Sequence, residues 1–136
     1  MSIKYPAALL ALLCISYQAH AFPLEIFENV AGNRVVAFIE ESDIDKSIHW
    51  KPFDQAPPIT VEQATRAVFK HLGAEKDMVD TEIVEIELRP IPHHEEQWHY
   101  MIKMKMQNDE EVKYRYFIVL MNGKVIPAIR EPDSIK

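Results

Sequence analysis

The chain has 136 residues, 48% of them hydrophobic, with one cysteine and 15 basic against 21 acidic side chains, a formal net charge of −6 at pH 7. That length suits one globular domain, and the apolar content is too high for a disordered chain. An acidic balance with scattered lysines argues against nucleic acid as the main partner.

At the amino terminus, Lys4 precedes an apolar run from Ala7 to Ile15 and then Ala19-His20-Ala21, the small-x-small arrangement that signal peptidase accepts. The expectation is a signal peptide over residues 1–21 and an exported protein, periplasmic or secreted, that begins at Phe22. The run is far shorter than the roughly 20 residues needed to cross the hydrocarbon core, so no transmembrane segment is expected after cleavage. Leu13 stands before Cys14 where a lipoprotein signal would carry a small residue. Cleavage removes Cys14, leaving neither a disulfide nor a thiol nucleophile.

Residues 22–58 read as an amino-terminal hairpin and a proline-containing linker. LEIFENVAGNRVVAFIE predicts two short strands around Ala31-Gly32-Asn33. The stretch from Glu41 to Pro58 lacks periodicity, carries Pro52, Pro57 and Pro58, and is expected to be pinned to the core by Trp50 and Phe53. In ITVEQATRAVFKHLG, Thr60 and Gln63 make a capping box, Val61, Ala64, Ala67, Val68 and Leu72 form one apolar face, and Gly73 is placed to end the helix. Three alternating segments follow. Val84, Ile86 and Leu88 share one face of the first, Trp98, Tyr100, Ile102, Met104 and Met106 of the second, and Val112, Tyr114, Tyr116, Ile118 and Leu120 of the third. Asn122-Gly123 then predicts a tight turn into KVIPAI, an edge strand by its Pro127. The expected fold is α+β, with one helix on a curved antiparallel four-stranded sheet over residues 59–130 and a short tail at 131–136.

The order helix, strand, strand, strand, with ITVEQATRAVFKHLG leading and YRYFIVLMNGKVI closing, resembles the PepSY-type and cystatin-like small domains of exported bacterial proteins and protease propeptides. The resemblance covers about residues 59–127 and rests on an Ala-centred helix and a glycine turn before the final strand. It implies a non-enzymatic module that binds or inhibits.

Four stretches invite a chemical reading. HHEEQWH offers His93, His94 and His99, but a zincin needs H-E-x-x-H on a helix, and from His94 to His99 the spacing is one residue too long. Pro90 and Pro92 precede it and a strand is expected from Trp98, so it reads as a hairpin loop. MIKMKM offers soft sulfur ligands, yet alternation sends Met104 and Met106 to the core face and Met101 to the other. EESDID resembles the start of a calcium loop, with Ile48 where glycine is required and Asp54 where the bidentate glutamate belongs. The fourth is a basic stripe. If Gln107 and Glu111 flank a three-residue loop, Lys105 faces Lys113 and Lys103 faces Arg115 on the outer side of the sheet, with Glu85 and Glu87 on the neighbouring strand.

No serine sits in a glycine elbow and no glycine-rich phosphate loop exists among three glycines, so neither an enzyme nor a cofactor is expected. The function expected is an exported binding or inhibitory module whose partner is a protein, a peptide or an anionic envelope component, met by Lys103, Lys105, Lys113 and Arg115. The alternative is a small periplasmic metal-handling protein that uses His93, His94 and His99.

Overall fold

The computed structural model describes residues 23–30, 32–73, 80–107 and 111–131; the expected signal peptide and most of the tail lie outside them. Among the described residues the chain forms one α-helix and two antiparallel sheets, an α+β arrangement. Strands β1 (Leu24–Val30) and β2 (Asn33–Ile39) pair along their whole length. Helix α1 (Val61–Leu72) follows, then β3 (Asp80–Ile91), β4 (His94–Gln107), β5 (Val112–Leu120), β6 (Val125–Pro127) and β7 (Ile129–Arg130). The larger sheet has the order β3-β4-β5-β6 and the smaller β1-β2-β7.

Helix α1 forms where the capping box predicts it. Thr60 accepts from the Gln63 amide and Gln63 reaches back to the Thr60 amide, which satisfies donors that no preceding turn can bond. Its Ala64, Val68 and Leu72 are fully buried against Tyr100, Ile102, Met104, Phe117 and Val119 of the large sheet. Tyr100 donates its hydroxyl to the Ile59 carbonyl, 2.9 Å away, tying the helix start to β4.

The other face of the large sheet is covered as well. Met101, Tyr116, Ile118 and Leu120 are buried in a second core with Ile26, Val30, Ala37 and Ile39 of the small sheet. The molecule therefore has three layers: helix, four strands, three strands. This changes the expected arrangement of β5. Its helix-facing residues are Phe117 and Val119, whereas Tyr116, Ile118 and Leu120, expected to share a face with Tyr100 and Ile102, point to the small sheet. The physical reason is the register, in which Gln107 pairs with Val112, one residue from the expected alignment, and that slip exchanges the two faces of the strand.

A bulge between Ile83 and Glu85 makes a similar change in β3. It puts Ile83 and Ile86 on the helix side and leaves Val84 outside at 53% exposure. In the linker, Trp50 is buried as expected, but Phe53 is fully exposed, on a backbone with φ of 74°.

Strand β6 pairs with β5, and Pro127 occupies the edge, where its missing N–H costs no ladder bond. Beyond it the Ala128 amide donates to the Tyr116 carbonyl, and the next two residues pair with β2 of the small sheet. One short run of chain thus joins both sheets.

Double-sided burial makes a direct prediction. Phe117 and Ile118 are neighbours in sequence and 0% exposed in opposite cores. Phe117→Ala is expected to cost about 3–5 kcal/mol and Ile118→Ala about 2–5 kcal/mol in urea unfolding. A sheet buried on one face only would lose stability at one of the two positions.

Candidate functional site

Charged side chains from three strands, β1, β3 and β4, meet where the sheets face each other. Lys103 of β4 lies 2.7 Å from Glu85 of β3 and 4.0 Å from Glu28 of β1. Arg89 of β3 pairs with Glu87 on its own strand and stands 3.4 Å from Glu28. The pairing of Lys103 with Glu85 raises the lysine pKa and lowers that of the carboxyl, chiefly through their hydrogen bond.

This geometry divides the expected basic stripe. Lys103 faces Tyr116 and Lys105 faces Tyr114, so these two lysines share the face turned to the small sheet. Arg115 faces Met104 and Lys113 faces Met106, on the helix side. Arg115 stacks over the Phe117 ring at 5.1 Å, and Lys113 lies 3.3 Å from Glu111. The four cations do not form one surface, because the observed register is a residue away from the one that would align them.

The three histidines also separate. Strand β4 begins at His94, four residues before the expected start at Trp98, and the connection is Pro92-His93 with His93 at φ 64°. His93 and His94 border an open groove of about 590 Å³ floored by Leu24, Phe27, Ile39 and Ile44. His99 is 1% exposed, opposite Arg89 and Leu120, and neither ring nitrogen has a protein hydrogen-bond partner among the described residues. Burial, with the nearby Arg89 charge, lowers its pKa to about 4. Tyr116 is buried in the same layer and its pKa is raised by burial. Among the described residues no three His, Asp or Glu side chains gather to hold a metal ion.

The acidic turn is occupied by the chain itself. Asp45 accepts from the Ser47 amide at 2.9 Å and from its hydroxyl, Asp43 pairs with Lys124, and Glu41 lies 2.6 Å from Lys46. Met101 and Met104 are 0% exposed and belong to opposite cores.

Two other surfaces have a shape suited to recognition. The first is the outer face of the small sheet. Phe27, Val36 and Ile129 lie in one row across its three strands, with Phe38 two residues from Val36. Val36 is buried between neighbours that are not: Phe27 is 42%, Phe38 37% and Ile129 54% exposed. Arg34, beside this row, stacks 4.4 Å over Phe27 and pairs with Glu131 at 3.2 Å.

The second is a cavity of about 470 Å³ on the linker side of the molecule. It owes its form to an irregularity in the β3–β4 ladder, where Pro90 pairs with Trp98 but Ile91 pairs with His94, so Glu95, Glu96 and Gln97 leave the register. The Glu96 carbonyl accepts from the Trp50 amide at 3.2 Å, and the Trp50 indole donates to the Gln55 carbonyl at 2.9 Å. These bonds fold the linker against β4, with Trp50 and Trp98 in edge-to-face contact at 5.6 Å.

Comparison with protein-family models, with curated proteins and with solved structures gives no match. Among the described residues no helix is long and apolar enough to cross a membrane.

The aromatic face was partly legible in the sequence. FENV and VVAFI place apolar residues at both odd and even positions, the pattern of strands with apolar groups on both sides. The cavity carries no such signal, since it depends on a departure from regular pairing.

His99 predicts a pH dependence. Its pKa is about 4 in the folded protein against 6.5 for the ordinary side chain, so the unfolded chain binds the extra proton first. Stability is therefore fully present above about pH 6.5 and falls as pH drops toward 4, by up to about 3 kcal/mol from this group. Unfolding curves across that range, for the native chain and for His99→Leu, measure it: the leucine variant is expected to lose this part of the slope.

Proposed function

We propose that this protein is an exported, non-catalytic binding module that engages a protein or peptide through the outer face of its three-stranded sheet. Export rests on the amino-terminal sequence, where a short apolar run leads to Ala19-His20-Ala21. The observation that carries the binding surface is the row Phe27–Val36–Ile129 with Phe38 beside it. Contiguous apolar side chains rimmed by charge are the usual mark of an association surface, and covering them returns about 25 cal/mol per Å² of apolar area.

Other parts of the sheets are less suited to this role. Both faces of the large sheet are already packed. Its edge strand β3 carries a bulge, Pro90 and the carboxylates Glu82, Glu85 and Glu87, features that discourage addition of another strand. Its opposite edge, β6, is three residues long and ends in proline.

The test is capture from envelope extract by the mature protein, by Phe27→Ser with Phe38→Ser, and by Lys105→Glu with Lys113→Glu, with circular dichroism to confirm folding. The phenylalanine pair is expected to reduce capture of the retained partner by roughly tenfold or more, as loss of central aromatic anchors does. Capture lost in the lysine pair alone would overturn this surface and return the role to an anionic partner meeting those cations.

A further inference from the structure

We propose that the cavity walled by Trp50 and Trp98 binds a small organic cation of the quaternary-ammonium class. The two indoles meet at 77° with centroids 5.6 Å apart and both border the cavity, Trp98 half-buried and Trp50 6% exposed beneath it, so an aromatic corner forms its inner side. The negative faces of such rings attract a cation, and tryptophan does so most strongly. Asp54, Glu95 and Glu96 line the same space, against one permanently charged cation, Lys51.

Lys51 is 82% exposed and 3.9 Å from Asp54, so it engages one carboxylate at the rim and leaves the lining net negative. The Nδ1 of His49, another lining residue, lies 3.1 Å from Glu96. The volume of about 470 Å³ falls among small-molecule sites, which span roughly 300–1,000 Å³.

The same features decide the chemistry of the ligand. An anion would meet three carboxylates, and a neutral apolar molecule would gain nothing from them. A metal ion needs several donors converging on one point, an arrangement not found among the described residues. An alkylated ammonium is weakly hydrated, presents methyl groups to the indoles, and carries the charge the carboxylates favour. This site is separate from the aromatic face of the small sheet, and the inference goes beyond the proposed partner binding.

The chain has only two tryptophans, and they are the two walls, so intrinsic fluorescence reads the cavity directly. The experiment titrates the mature protein with choline and, separately, with its neutral isostere 3,3-dimethyl-1-butanol. Choline is expected to give a saturable change in the millimolar range, with the isostere at least about fivefold weaker. Glu95→Gln with Glu96→Gln is expected to weaken choline binding by about fivefold while leaving the circular dichroism spectrum unchanged. Phe27→Ser with Phe38→Ser is expected to keep the full choline response, which separates this site from the partner surface. Equal binding of the isostere, or no saturable response to choline in the native chain, would overturn the proposal.

Discussion

Strands β4 and β5 are apolar on both sides, and each side must be covered. Met101 and Ile102, or Phe117 and Ile118, cannot be removed from water by one layer, because successive side chains of a strand point in opposite directions. Helix α1 is amphipathic and covers one face; the β1-β2 ribbon covers the other. Neither has a second place to go. A two-stranded ribbon is marginal in water by itself, and a twelve-residue helix is at the limit of independent stability. The outer layers are held by the central strands at least as much as the reverse.

That constraint explains which parts of the sequence could be read and which could not. A helix with one apolar stripe has a period, so α1, its capping box and its buried Ala64, Val68 and Leu72 were legible. Strand β4 was also legible in outline, since lysines alternate with apolar residues through its second half. Strand β5 was not. YFIVLM is apolar without interruption, and such a run has no phase from which to choose a face. The register was then decided by the assumed loop length, and a difference of one residue separated Lys103 and Lys105 from Lys113 and Arg115. The bulge at Val84 and the irregular pairing before Trp98 are likewise invisible to a two-residue period. The aromatic corner lies where that period fails.

The polar groups between the sheets have a different role from the apolar ones around them. Glu28 contributes to the charges of both Arg89 and Lys103, and so places β1 relative to β3 and β4. Partly buried ion pairs give little net stability once desolvation is counted, but they penalise alternatives, because a slid ribbon would leave the largely buried Glu28 carboxylate without its cationic neighbours Arg89 and Lys103. Oily contacts between Ile26, Ala37 and Ile118 would tolerate a small slide far better. The apolar residues hold the layers together and the charges fix their position.

The path of the chain through Pro127 and Ala128 has a consequence for the order of assembly. Val35 pairs with Arg130, so the small sheet is completed by residues from nearly opposite ends of the described chain. As the chain folds from its amino-terminal side, the ribbon must wait, its Phe27 and Phe38 side and its Ile26 and Ile39 side both uncovered, until β4, β5 and finally β7 have followed it. Non-local pairing of this kind slows folding and prolongs the life of sticky intermediates. The interval before the last strand arrives is when this protein is most exposed to holding factors and to proteases.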